Sequence, residues 1–361
     1  MSSTTQSARI PAPVMGISRL ILKRNFKNLF RLPKVSLSKF LQLRLNTILI
    51  RFLPFAISRW YIVILGKLYY LLNWQERRLI RNTIQQVFKG RIPARTLKGK
   101  IRETFKGIFD HYHEKLFMAY SNFPRLVDFL KTRIRFQGKE ALREALAGGK
   151  GVILVTGHYG AVEFLPGALA AHKYPTSMIC RFQTQSLRVS LSQRAEDGKR
   201  AEYGDLHLID ADEGNIILAA MKALKQGRIL ITECDEFDEW RPDPNRDSQF
   251  LGCKLTSDRT LELLQKRSGS PVISALIKRE GKRNYTCNLS PVPVPSSSPM
   301  NMALSEQCLR VLETWVESHP EQWYQWKKLG MMIKSQFEVK HDRQDSGYLA
   351  PEVGVSVPDQ A

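Results

Sequence analysis

The chain has 361 residues, enough for a large core in one or two domains. Its five cysteines (Cys180, Cys234, Cys253, Cys287 and Cys308) are widely spaced without any CxxC, which argues against a disulfide framework or a zinc site and for a reducing compartment. The net charge is +21, and +19 of it falls in residues 1–100, where nine basic residues up to position 50 and eleven after it face one acid, Glu76.

Such a basic arm faces nucleic acid, an anionic membrane or an acidic protein. Between its charges lie Ile17, Leu20, Ile21, Leu22, Phe26, Leu29 and Phe30, then Leu37, Phe40, Leu41, Leu43, Leu45, Ile48 and Leu49. This basic amphipathic pattern predicts a helical arm lying in a lipid interface, as a peripheral or monotopic contact. Residues 52–72 are the nearest approach to a spanning helix. Arg59 and Lys67 interrupt them, and a charge at the bilayer centre costs about 2.5–3.5 kcal/mol. Trp60, Tyr61, Tyr69 and Tyr70 fit interfacial anchors. No helix-turn-helix, zinc or RNA-binding motif supports nucleic acid, and the lysine-peppered start predicts no signal peptide.

Farther along, residues 74–88 and 97–130 read as helical, with breaks near Pro93 and Pro124. From about 133 strands and helices alternate, which predicts an α/β fold with a mostly parallel central sheet flanked by helices. The expected strands are 151–156, 176–180, 206–210, 228–233 and 272–277, with 285–289 joining at an edge. The expected helices are 139–148, 161–172, 185–197, 214–226, 258–268 and 301–318. Residues 291–299 read as an extended linker. The organisation expected is an arm over 1–73, an α/β domain over 74–339 and a polar, disordered tail over 340–361.

The stretch 151–163, GVILVTGHYGAVE, is the most informative. Its apolar, β-branched run suits a parallel strand buried on both faces, and open α/β sheets place their chemistry just beyond such strand ends. His158 falls there, and Glu163 follows five residues later. On one regular helix their side chains would diverge by about 140°, so the pair requires the His in a turn and the acid in the helix that follows. Gly157 and Gly160 allow that turn. An imidazole backed by a carboxylate is a general base. His207 with Asp212 has the same spacing, but His207 falls inside a strand-like run. Arg181, Glu233 and Asp235 also end expected strands, as if around a shared cleft. The run from Asp110 to Glu114 invites a metal reading, yet His111 and His113, two apart, point away from each other on a helix.

In order, Arg81-Asn82, Gly138-Lys139-Glu140 with Leu142, Gly149-Lys150-Gly151, the block His158 to Glu163, Arg181, Arg194 with Gly198, Gln226-Gly227, Asp235, Phe250-Leu251-Gly252 and the closing run His319-Pro320-Glu321-Gln322-Trp323 recur. Over residues 74–330 this order resembles the lysophospholipid acyltransferase superfamily, and within it the bacterial lipid A biosynthesis (late) acyltransferases. Lys327-Lys328 departs from the His and Arg that usually follow the closing Trp. The resemblance implies an enzyme moving a fatty acyl chain from a thioester, on acyl carrier protein or CoA, to a hydroxyl of an anionic membrane lipid. It implies a place on the cytoplasmic face of a bacterial inner membrane.

In that reading His158 is the general base and Glu163 holds its tautomer. Backbone N–H groups after Gly160 stabilise the oxyanion, Arg181 holds a phosphate, and Arg194, Asp235 and Arg259 bind substrate. No Ser or Cys sits in a nucleophile elbow, which favours direct attack over an acyl-enzyme. No metal or organic cofactor is required. Other acceptors (another glycolipid or a lysophospholipid), a lipid hydrolase using the same pair, and a silent membrane scaffold remain open.

Overall fold

Strand β2 (Val152–Thr156) is buried along its whole length because both faces of the sheet are covered. Val152 and Leu154 enter one apolar cluster with Ile229 and Ile231, while Ile153 and Val155 enter another with Leu230. A strand facing two cores carries no polar alternation, which explains its unbroken hydrophobic run. The computed structural model describes residues 36–237, 242–281, 283–294 and 302–345.

The central sheet adds β1 (Ile134–Gln137), β3 (Thr176–Cys180), β4 (Leu206–Asp210), β5 (Ile229–Glu233), β8 (Val272–Arg279) and β9 (Tyr285–Val292), in the order β1-β9-β8-β2-β5-β3-β4. All its pairings are parallel except β8 with β9. The alternation of strands and helices therefore gives the expected α/β architecture. Three details differ from expectation. Residues 285–289 do not form an edge, because the short β1 pairs outside them. β9 runs on through Pro291 to Val292, into the expected linker. The acidic stretch after Asp235 contributes β6 (Pro242–Phe250), which pairs antiparallel with β7 (Cys253–Asp258).

The long helical stretch divides into Ala94–Tyr120 and Phe123–Arg133. Asn122 caps the second helix on the Arg125 N–H, and Pro124 occupies its first turn, where a missing N–H costs nothing.

The arm divides at the described boundary. Residues 1–35 lie outside the described residues, as do 295–301 and 346–361 of the expected linker and tail. From Leu37 onward the arm packs on the body: Leu37, Leu41 and Ile50 share an apolar cluster with Ile80 and Ile84. The helix Phe55–Leu72 is long and apolar enough to cross a membrane, yet one side of it is fastened to the α/β body. Arg59 pairs bidentately with Asp110 at 2.7 and 2.8 Å. Ser58 Oγ lies 2.8 Å from His113 Nε2, and Phe55 stacks on Phe129. Gly66 lets the helix approach so closely that a Cβ there would fall 2.2 Å from the Phe109 ring. The opposite side exposes Ile57, Trp60, Ile64, Leu68, Leu71 and Leu72 at helical spacing.

Candidate active site

The register of β2 against β5 builds the site. Thr156 pairs with Glu233, so the residues two positions beyond each strand, His158 and Asp235, emerge side by side. Asp235 is fully buried. It accepts the His158 backbone N–H at 3.0 and 3.1 Å, lies 2.8 Å from His158 Nδ1, and accepts the Trp323 indole N–H at 2.7 Å. A carboxylate so placed fixes the ring's orientation and puts the Nδ1 hydrogen on its own side.

The other nitrogen, His158 Nε2, meets Glu236 Oε1 at 2.8 Å and Glu233 Oε2 at 3.5 Å. Glu236 in turn pairs with Lys328 at 2.7 Å. Burial pulls the His158 pKa down, but Glu233, Asp235 and Glu236 outweigh it and hold the ring well above its ordinary value. Burial pushes Glu233 up to about 7 against the pull of His158. For Glu236 burial is overcome by His158 and Lys328, which hold it at about 2. His158 Nε2, Glu233 and Glu236 also offer ligand atoms within 4.8 Å of one another, a donor set able to hold a divalent ion, though only by occupying the nitrogen that a base needs.

Glu163 does not reach His158. A tight 3₁₀ turn, Val162–Phe164, begins the segment after the Gly160 loop and turns Glu163 toward the helix Ala94–Tyr120. There it pairs with Lys115 Nζ at 3.0 Å and approaches His111 Nε2 at 3.5 Å, residues one helical turn apart. His111 stacks on Tyr324 at 3.4 Å, and burial first, then the cations Lys115 and Arg279, hold it well below its usual pKa and neutral. The Tyr324 ring also meets His158 edge-on at 5.0 Å.

Gly160 serves the backbone rather than a ligand. With φ +57° it crosses β8 so tightly that a Cβ would fall 1.7 Å from the Ile277 carbonyl oxygen. Three of the loop's backbone donors are spent as well. Tyr159 N–H goes to Gly157 O, Gly160 N–H to Gln322 O at 2.8 Å and Ala161 N–H to Ile277 O at 3.0 Å. With His158 N–H on Asp235, these four N–H groups are committed elsewhere; Ala161 is the one among them that follows Gly160. Arg279 braces the loop from below: it donates to the Gly160 carbonyl while forming a buried bidentate pair with Glu114 at 2.7 and 2.8 Å. Gln322 bonds both backbone groups of Arg279. The closing His-Pro-Glu-Gln-Trp run thus clamps the His158 loop through Gln322 and Trp323.

A cavity of about 320 Å³ opens beside Nε2, within the usual range for ligand sites. His158, Glu163, Glu233, Glu236 and Lys115 line one part; Met118, Leu126, Leu130, Ala170, Leu187 and Leu191 line the rest. Arg181 and Arg194 line it too. The Arg181 side chain is about half exposed and donates to Asp212 at 2.8 Å. Arg194 instead uses its guanidinium on the carbonyls of Ala119 and Ser121, which close the long helix, and lies over the Phe123 ring. Arg259 precedes the helix Thr260–Ser268 and does not line the cavity; Asp235 lies under the imidazole rather than on a rim. The run Asp110 to Glu114 disperses, to Arg59, Glu163, Ser58 and Arg279.

The family model for bacterial lipid A biosynthesis acyltransferases matches residues 23–329, which include every residue of this site up to Lys328. The chain belongs to that family. This lipid A acyltransferase is accordingly an O-acyltransferase of the lysophospholipid acyltransferase superfamily. No protein of curated function matches the chain. Within the acyltransferase, no site role was expected of Lys115, Tyr324, Glu236, Lys328 or the Glu114–Arg279 brace. Gln322, Trp323 and Tyr324 carried a local signal, as part of the closing run, and Glu114 and Lys328 were noted for other reasons.

Proposed function

We propose that this protein transfers a fatty acyl chain from an acyl thioester, on acyl carrier protein or CoA, to a hydroxyl of a lipid A precursor at a membrane surface, with His158 as general base. One observation carries the reading: an imidazole clamped at Nδ1 by a buried carboxylate turns Nε2 into the polar part of a largely apolar cavity. Apolar walls suit an acyl chain, and a base at one part suits the hydroxyl that attacks it.

Asp235 takes the role expected of Glu163. It keeps the Nδ1 hydrogen and stabilises the imidazolium formed during transfer. In the resting arrangement the three carboxylates keep His158 protonated and Glu236 covers Nε2. An acceptor hydroxyl entering at Nε2 displaces Glu236, which remains paired with Lys328. That displacement removes one of the charges holding the proton on the ring. The Nε2 proton passes to Glu233, which lies 3.5 Å away and which burial raises to about 7, leaving the ring neutral. The hydroxyl then gives its proton to Nε2 as its oxygen attacks the thioester carbonyl, and His158 returns that proton to the leaving thiolate. General-base assistance of this kind contributes about 10²–10⁴-fold.

The exposed stripe from Ile57 to Leu72 supports an in-plane membrane contact, since its helix is held to the body by Arg59–Asp110. The next helix exposes Arg77, Arg78 and Arg81, which suit anionic headgroups.

The test is mass spectrometry of lipid A precursor incubated with acyl donor and purified enzyme. A gain of one acyl unit that requires His158 supports the reading. Free fatty acid formed without dependence on an acceptor would make the protein a hydrolase.

A further inference from the structure

We infer that Lys115 is a catalytic residue of this site: its ammonium binds the thioester carbonyl oxygen and stabilises the oxyanion. The inference rests on the acyl-transfer reading above. Attack on a thioester puts negative charge on that oxygen, and something in the cavity must meet it. The N–H groups of His158, Tyr159, Gly160 and Ala161 do not, because all four are bonded elsewhere.

Besides His158, three basic side chains line the cavity among the described residues. Arg181 lies half exposed and donates to Asp212, and Arg194 is committed to the carbonyls of Ala119 and Ser121. Lys115 is only 18% exposed, less than Arg181, and it lines the cavity together with His158 and Glu233. Among the described residues its one ion pair is with Glu163. Burial works against its charge, but Glu163 outweighs that and keeps the ammonium protonated. An ammonium has three donors, so Lys115 can keep Glu163 and still offer a hydrogen to the carbonyl oxygen. Glu163 then acts through Lys115, as a positioning residue.

The step balances. The acceptor O–H proton passes to His158 Nε2 while its oxygen bonds the thioester carbon, and the carbonyl π pair moves onto the oxygen held by Lys115. The pair returns as the C–S bond breaks, and the thiolate takes the proton from His158. An ester and a free thiol leave, with no oxidant or further reactant.

Two variants test this: Lys115→Met, and Lys115→Met combined with Glu163→Gln. The single change strands the Glu163 carboxylate, whereas the double change replaces a partly buried pair by neutral groups of similar size, which folds tolerate well. Thermal melting checks the fold of each. The expected result is a fall in kcat of about 10²–10³-fold in both, with KM for the acyl donor little changed. Recovery of wild-type kcat in the double variant would mean that Lys115 merely neutralises Glu163, and would overturn the inference. So would a Lys115→Met enzyme at wild-type kcat. His158→Ala abolishes transfer under either outcome, so its survival would sink the general-base reading separately.

Discussion

Asp235 holds His158 at two points, the backbone N–H and Nδ1, across 77 residues of sequence. The contact depends on strand register alone, because Thr156 and Glu233 pair and the chain continues two residues beyond each. Several consequences can be measured.

The free enzyme carries His158 as an imidazolium, since burial, which lowers its pKa, loses to Glu233, Asp235 and Glu236. A base must be neutral, so kcat/KM should rise with pH and level off only above the ordinary histidine value near 6.5. The same shift has a stability sign. A raised pKa in the folded state contributes stability that is complete below about pH 6.5 and lost as pH rises through the folded value. A rate profile flat from pH 6 upward would contradict this.

Breaking the Glu114–Arg279 pair leaves one buried charge unpaired, because both side chains are almost inaccessible. Glu114→Ala should destabilise the protein by about 3–5 kcal/mol. It should also cut activity beyond the loss of folded protein, since Arg279 braces the Gly160 carbonyl. Urea unfolding with rates per folded molecule separates the two effects.

Gly160→Ala asks an L-residue to adopt φ +57° with its Cβ 1.7 Å from the Ile277 carbonyl oxygen. The backbone conformation alone costs roughly 1–3 kcal/mol, and relieving the overlap moves the loop that carries His158. Calorimetry should show a lower Tm, and acyl transfer should fail in the folded fraction.

Trp60→Glu with Leu68→Glu alters only the outward side of the helix Phe55–Leu72. Each apolar side chain contributes about 1.5–3 kcal/mol when buried, so partition into anionic liposomes should weaken at least about tenfold with Tm unchanged. Arg59→Ala should do the reverse, lowering Tm through the lost Asp110 pair while leaving partition near wild type. Raised salt should release the wild type only in part.

The sheet was largely legible because each expected strand is a short apolar run ending in a turn residue. β1 was missed because its four residues IRFQ, although they alternate, are too few to stand out after a long helix. β6 was missed because its sequence is charged and carries prolines, so nothing in it marks a strand. The site was half legible. His158 announces itself by following a buried strand, and Asp235 by ending another. Their partnership does not, because it follows from β5 lying beside β2, and sheet order leaves no local mark. Glu163 was the natural local choice, but the 3₁₀ turn and the pull of Lys115 carry it elsewhere. Arg59 looked like an interruption of an apolar span; its partner Asp110 lies 51 residues away.

The most direct test of the central claim is the pH–rate profile of acyl transfer for the wild type, Asp235→Asn and Glu163→Gln. Asp235 raises the His158 pKa both by its charge and by its hydrogen bond, whereas Glu163 is paired with Lys115 and does not touch the ring. The account therefore predicts that Asp235→Asn lowers the apparent pKa of the rising limb together with kcat, while Glu163→Gln lowers kcat and leaves that pKa in place. A shifted limb in Glu163→Gln with an unshifted one in Asp235→Asn would contradict it.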